Sequence, residues 1–443
     1  MGLSNTAWLC LRTLVRTLSD VVAVQFALRG LGVEGYGVYS SVTGVAAALL
    51  FLDGTLNVTG RRFLAARMVA GKESFLVAFR TLFLMALVIS ALVVVCGETF
   101  AAAFVRTRLA FPPGTEGAAM PVFHLSVGIM VLRLLLTPMS AALMAAERMR
   151  ALAGLSLVEA AVSLSAAAIV CLRGFSSPVD YAALTLVGAA IVLFAYGACC
   201  GRKTGLPRSS GELDIGYLRE QGGFFAWMSS AAVANMLKYH GVCSLLGVYA
   251  GTSLSATWSM SMKAGFGLYA VAGCVQTAFF PRSVKLWESG DRRGFASVAS
   301  VTFWLALSAT ALCASPFLFA PDISLRLCFG GDLPPQATAF MRCVALHFVI
   351  DAMKCPVHSA VLSTGKVSLY QSVDSLIMVS GFVLAWISLA VGFPAWTSVA
   401  SVTATNALSF AFRFAYMSKA TGISAREFLT AVFRRDSGAS VVV

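Results

Sequence analysis

Charge is scarce in this chain. Asp, Glu, Lys and Arg make up 12% of its 443 residues, about half the share of a soluble domain. None of the eleven cysteines forms a C-x-x-C pair, and most lie within apolar runs, where Cys acts as a small hydrophobe. This excludes a metal-binding or disulfide framework. No P-loop occurs, so ATP does not drive this chain directly. No basic segment precedes the first apolar run and no convincing cleavage site follows it, so that run is expected to remain as the first span. Long polar connections are missing as well. The longest, residues 97–120, is too short to be an inserted soluble domain.

What is present is apolar: 58% of the residues are hydrophobic, and mean hydropathy is +0.82. Apolar runs of about 20 residues recur from end to end, the length that crosses a hydrocarbon core as a helix. They are too long and too uniform for barrel strands. The pattern predicts an all-α polytopic membrane protein with twelve spans, near 5–28, 36–58, 76–96, 121–144, 151–172, 181–200, 222–247, 254–280, 296–320, 337–362, 371–392 and 395–417. Nineteen Lys and Arg fall on the side of the chain termini, against Arg29, Arg106, Arg108, Arg173 and Arg326 on the other. The positive-inside rule then makes both termini cytoplasmic. The net charge of +13 is therefore mainly a topology signal and not a nucleic-acid footprint.

Two segments recur at about half the chain length. "LGVEGYGVYS" (31–40) is echoed by "LGVYAGTSLS" (246–255), and "PMSAALMAAERMR" (138–150) by "PVHSAVLSTGKVS" (356–368). An even number of spans per half makes this a parallel repeat about an axis along the membrane normal. The expected units are a six-helix lobe at 1–201, a cytoplasmic linker at 202–221, a second six-helix lobe at 222–417 and a cytoplasmic tail at 418–443. The lobes enclose a central cavity. In the tail, "ISAREFLTAVFRR" (423–435) reads as an interfacial helix. Ser424 and Glu427 form a capping box, and Phe428, Val432 and Phe433 are expected to face lipid.

Nine basic residues fall inside the spans: Arg12, Arg16, Arg80, Arg133, Lys238, Lys263, Arg342, Lys354 and Arg413. Each would cost about 2.5–3.5 kcal/mol if central and lipid-facing. Arg12, Arg80 and Arg413 are candidates to snorkel to an interface; the others should face water or pair with acids. The acids are fewer: Asp20, Glu159, Asp351 and Asp374, with Asp53 near a cytoplasmic end. Span ten, "HFVIDAMKCPVH" (347–358), carries His347, Asp351, Lys354 and His358 on one face, and Pro356 loosens it there. An Asp351–Lys354 pair that stitches helices together is the structural alternative to a functional stripe. A basic surplus around a water-filled cleft focuses positive potential. Such a cleft would receive an anion, most naturally a phosphate, which suits the arginine fork.

Three stretches resemble a known family: "RGLGVEGYGVYS" (29–40), "FLDGTLNVTGRRFLA" (51–65) and "QTAFFPRSVKLWESGDRRGF" (276–295). With the hydropathy pattern, nearly the whole chain resembles the O-antigen-type polysaccharide flippases of the multidrug/oligosaccharidyl-lipid/polysaccharide exporter superfamily. Each stretch also has a plain structural reading. Gly35 and Gly37 permit a tight reversal, Tyr36 and Tyr39 suit an interface, and Pro281 can end a helix.

The resemblance implies two lobes around a V-shaped cavity. It also implies movement of an undecaprenyl-diphosphate-linked oligosaccharide from the inner to the outer leaflet of the bacterial cytoplasmic membrane. Arg12, Arg16, Lys238, Lys263, Arg342 and Lys354 would then be the cationic substrate contacts. Asp20, Glu159, Asp351, Asp374 and His358 would serve ion coupling, by Na⁺ or H⁺, or charge pairing. Membrane lipids and glycan-assembly proteins are the expected partners; no cofactor, resident metal or nucleic acid is expected.

Other readings predict different features. A multidrug cation antiporter of the same superfamily wants an acidic or aromatic pocket. A lipid II flippase typically carries fourteen spans. A major facilitator would place Asp and Arg where "NVTGRR" (57–62) has Asn57 and Val58. A membrane enzyme would need a catalytic outer loop, and no nucleophile–base pattern is visible in 97–120 or 321–336.

Overall fold

A computed structural model of the chain describes residues 2–49, 51–69, 71–109, 111, 114–146, 148–174, 177–204, 216, 229, 232–330, 333–334, 336–364 and 368–431. The expected linker at 202–221 and the tail beyond 431 therefore lie almost entirely outside the described residues.

Every regular element among the described residues is helical. In the first half these are α1 (Gly2–Ala48), α2 (Phe51–Val69), α3 (Lys72–Cys96), a π-helical segment (Gly97–Ala101), α4 (Ala102–Arg108), α5 (Glu116–Ala145), α6 (Met149–Arg173) and α7 (Pro178–Thr204). The second half begins with a π-helical segment at Leu237–Gly241. It continues through α8 (Val242–Tyr249), α9 (Thr252–Glu288), α10 (Arg292–Phe319), α11 (Pro321–Phe329), α12 (Ala337–Thr364), α13 (Ser368–Ala390), α14 (Trp396–Thr421) and α15 (Ala425–Thr430).

Six of these stretches are long and apolar enough to cross a membrane: 73–108, 116–145, 149–173, 178–201, 292–319 and 369–390. They coincide with expected spans three to six, nine and eleven. Spans one, eight, ten and twelve fall in α1, α9, α12 and α14, whose polar and charged residues dilute their apolar windows. Those four helices pack together: α1 runs against α9, α9 against α12, and α12 against α14. The less apolar helices thus form the inside of the bundle, where their polar groups find one another.

Several boundaries differ from the sequence expectation. Span two is not one helix: α1 continues to Ala48 and α2 starts at Phe51. The break between spans one and two sits at Gly32 (φ 71°, ψ 173°), not at Gly35 and Gly37. Only glycine adopts that backbone without strain. Gly37 has another role: a Cβ there would lie 2.7 Å from the carbonyl oxygen of Thr252, so its missing side chain lets α1 approach the start of α9. The basic stretch after span two is helical to Val69, and the expected loop after span three is helical to Arg108. α9 runs past Pro281 to Glu288, where Pro281 was expected to end span eight.

Local chemistry explains the ends. The Asp291 carboxylate accepts from the Gly294 amide at 2.9 Å and starts α10, while Gly174 and Gly422 close α6 and α14 in the left-handed region. In the tail, Ser424 Oγ accepts from the Glu427 amide, as the capping box requires. The helix it starts does not present Phe428 to lipid. Phe428 is fully buried between Phe303 and Phe414, and Trp304 Nε1 donates to the Leu429 carbonyl at 3.0 Å. Val432 and Phe433 lie outside the described residues.

Candidate functional site

Five helices of the first half surround a cavity of about 260 Å³. Each contributes polar side chains at helical spacing: Arg16 and Asp20 from α1, Asp53 and Asn57 from α2, Arg133, Thr137 and Ser140 from α5, Glu159 and Ser163 from α6, and Thr185 and Tyr196 from α7. Residues three, four or eleven apart lie on one helix face, so the residues from each helix point one way. Five such faces converge because each helix would otherwise bury polar groups against lipid.

The charges are largely arranged in pairs. Arg16 Nη1 lies 3.3 Å from Glu159 Oε2, and the Tyr196 hydroxyl donates to Glu159 Oε1 at 2.5 Å. Thr137 Oγ1 donates to Asp53. Asn57 Nδ2 donates to Ser140 Oγ at 3.3 Å. Across the two halves, Lys263 Nζ on α9 lies 3.9 Å from Asp20 Oδ2, with both side chains more than a third exposed. Arg133 forms no ion pair among the described residues. It is thus the uncommitted cation of the cavity.

A second charged cluster sits in the second half, and it is buried. Asp351 on α12 is its hub, with Lys238 Nζ at 3.3 Å, Lys354 Nζ at 3.4 Å and His347 Nε2 at 3.4 Å. The π-helical segment brings Lys238 to Asp351, an insertion geometry common where a side chain must be re-aimed. Lys354 also donates to Asn406 Oδ1 at 2.7 Å, and Asn406 Nδ2 donates to the His347 carbonyl at 3.1 Å. His347 meets Asp351 at ion-pair distance without hydrogen-bond geometry. Beside this cluster, Arg413 grips Asp374 through two bonds of 2.8 and 2.5 Å, and the Ser409 hydroxyl also donates to Asp374. His358 is bonded to the Tyr370 hydroxyl at 3.0 Å and stacks on its ring.

The six expected cationic contacts are therefore dispersed. Arg16 lines the cavity, and Lys263 reaches its rim residue Asp20. Lys238 and Lys354 do not line it: each is 3% exposed and held by Asp351, because a buried lysine must find a carboxylate. Arg342 is exposed on α12, away from the cavity lining. The Arg12 side chain lies outside the described residues. Of the acids, Asp20 and Glu159 line the cavity, whereas Asp351 and Asp374 are committed to internal cations. Arg413, expected to snorkel, is instead buried against Asp374. Asp53, Asn57, Arg133, Thr137 and Tyr196 were not singled out in advance as site residues. For Asp53 with Asn57 and Arg133 with Thr137 the signal was present as polar pairs four apart on otherwise apolar helices; Tyr196 has no such partner.

Among the described residues no group of three or more His, Cys, Asp or Glu stands ready to hold a metal. No protein-family model matches the chain, and no curated protein matches it. Solved structures do. An inward-facing multidrug resistance MATE family transporter of the MOP superfamily superposes with a TM-score of 0.73 at 13% identity, over 93% of this chain and 96% of that one. The lipid II flippase MurJ, in an inward closed conformation, gives 0.71 at 12% identity over 97% and 90%. The MATE multidrug transporter DinF-BH gives 0.64 at 16% identity over 96% and 95%. The chain has the fold of the MATE transporters and of MurJ. This agrees with the all-α polytopic class read from hydropathy, with helices from both halves around the interior. At such identities the likeness carries the fold, and what the cavity does must be argued from its own residues.

Proposed function

We propose that this protein is a transporter that flips an undecaprenyl-diphosphate-linked oligosaccharide from the inner to the outer leaflet of the bacterial cytoplasmic membrane. One observation carries this reading. Eleven of the twenty residues that line the cavity are polar or charged (carboxylates, an amide, hydroxyls and two guanidiniums), set among apolar side chains such as Ile129, Leu132, Leu136, Val162 and Val192, and Tyr196 is the one aromatic residue in that lining. Sugars are bound by such hydrogen-bonding groups. A lipophilic drug cation is bound mainly by apolar and aromatic walls.

Arg133, uncommitted, and Arg16, half-exposed and paired only loosely to Glu159, are the groups for the diphosphate. The prenyl chain stays in the bilayer beside the protein. The halves rock about the α1–α9 seam, and both termini are cytoplasmic. Glycan-assembly proteins meet the basic cytoplasmic face.

The test is made in the native bacterium. Loss of this protein should accumulate the lipid-linked precursor and remove surface glycan. Wild type should restore both; Arg133→Ala and Arg16→Ala, present at normal levels in the membrane, should not. Unchanged precursor in the null strain, with no second flippase in that strain, would sink the reading.

A cation antiporter of the same fold is the second reading, favoured by Asp53 and Glu159 in the same cavity. It predicts counterflow of an organic cation in proteoliposomes that is lost in Glu159→Gln.

A further inference from the structure

We propose that Asp322, Arg326, Gln336 and Thr338 form a saccharide-binding pocket at the outer mouth of the second half, which holds an uncharged pyranose unit of the lipid-linked glycan after it has crossed; this rests on the function proposed above. α11 and the start of α12 bound a cavity of about 430 Å³, lined by these four residues with Leu333 and Pro334 among the apolar ones. It lies between spans nine and ten, on the side with few Lys and Arg that the sequence reads as outer.

α11 has three distinct faces. Pro321, Ser324, Leu325 and Phe329 recur at three- and four-residue spacing and are buried, so they seat the helix. Asp322 and Arg326, one turn apart, line the cavity. Beside them Ile323 and Leu327 are 71% and 82% exposed. A short helix with an open apolar ridge next to charges suits the headgroup level of a bilayer. A sugar can therefore sit in the pocket while its prenyl chain stays in the adjoining leaflet. Gly330, which ends α11 at φ 99°, brings the pocket to the seam with the first half: a Cβ there would lie 3.4 Å from Arg29 Nε on α1.

The lining selects the ligand class. Asp322 and Arg326 form no ion pair among the described residues. Side by side they leave the pocket without net charge: Arg326 opposes a cation and Asp322 opposes an anion. A vicinal diol satisfies both, since one hydroxyl donates to the carboxylate and the other accepts from the guanidinium. The Gln336 amide and the Thr338 hydroxyl each add a donor and an acceptor, and Leu333 and Pro334 offer an apolar wall to the C–H face of a ring. Gln336 is also the one non-glycine residue with positive φ, 56°, among the described residues. Its carbonyl accepts from the Phe340 amide at 3.0 Å at the start of α12, a position that glycine would fill without strain. The strained backbone is accounted for by the side chain it carries into the pocket.

The test uses the purified full-length protein in nanodiscs. The probe is the oligosaccharide cleaved by mild acid from the native strain's lipid-linked precursor, free of diphosphate and prenyl chain. Saturation-transfer NMR follows binding, and titration gives Kd. Saturable binding is expected, weakened about tenfold or more in Asp322→Ala and in Arg326→Ala, as when a hydrogen-bonding group to a ligand is lost. Gln336→Gly should weaken binding too, yet keep or raise the thermal midpoint, because strain leaves with the side chain. Arg106→Ala, another exposed arginine on the outer side, should bind as wild type. If Arg326→Ala fails to insert, Arg326→Gln and Gln336→Gly carry the test. Binding that the pocket variants leave unchanged, or that Arg106→Ala weakens equally, overturns the pocket. Absent binding in wild type, with precursor still accumulating in the null strain, sinks the pocket and leaves the transport reading standing. Pocket-dependent binding with unchanged precursor upholds the pocket and sinks the transport reading.

Discussion

At the scale of single residues, two kinds of ion pair must be kept apart. Arg16 and Glu159 meet at 3.3 Å with side chains 48% and 17% exposed. Such a wet pair contributes about 0–1 kcal/mol to stability. Arg413 and Asp374 are 11% and 1% exposed and joined by two bonds. Removing one partner of a buried pair costs about 3–5 kcal/mol, because the other is left as an uncompensated charge. Arg413→Met or Asp374→Asn should therefore lower the thermal midpoint strongly. The double variant should lose less than the two singles combined. Arg16→Ala should leave the midpoint nearly unchanged while abolishing glycan export. Thermal unfolding in detergent, run beside the export assay, separates the two classes. Equal destabilisation by Arg16→Ala and Arg413→Met would contradict the assignment of one as site and the other as frame.

At the scale of elements, helices are locally encoded but their partners are not. The capping box at Ser424 and Glu427 was legible because both residues lie within one turn. The burial of Phe428 was not, since its neighbours Phe303 and Phe414 come from other helices. Phe428→Ala leaves a cavity worth about 3–5 kcal/mol at the base of α10 and α14. It should free α15, seen as rapid proteolysis after Thr421 where the wild type resists. Persisting resistance would mean that the Trp304–Leu429 bond alone holds the tail. A similar argument applies to Gly37. A side chain there meets the Thr252 carbonyl at 2.7 Å, and backbone cannot retreat as a flexible side chain can. Gly37→Val should push α1 from α9 and raise thiol labelling of Cys243, which is 4% exposed in the native packing. Unchanged labelling would show that the seam is looser than this packing implies.

At the scale of the molecule, the two halves meet along α1. Cys243 Sγ approaches the Ser40 carbonyl at 3.9 Å across that seam. If the halves rock, this contact must open once per cycle. Ser40→Cys in a background that keeps only Cys243 should cross-link with a short bifunctional reagent and stop export, and a cleavable linker should restore it. Export that continues in the cross-linked protein would exclude opening at this end.

How much was legible follows the range of the interaction. Hydropathy over about 20 residues determines that the chain is helical and polytopic, since an apolar run in lipid must satisfy its backbone within itself. The pair Asp351 with Lys354 was visible because three-residue spacing is local, whereas Arg16 and Asp20, four apart on α1, find their partners Glu159 and Lys263 on other helices. Which charges are site and which are frame was decided only by tertiary structure. Lys238 and Asp351 are 113 positions apart, and Arg413 and Asp374 are 39 apart. An internal carboxylate that neutralises a lysine turns an apparent binding group into a structural one, and nothing in the local sequence carries that contact. The cavity arose in the same way: ordinary polar residues became a site only because five helices turn them toward one space.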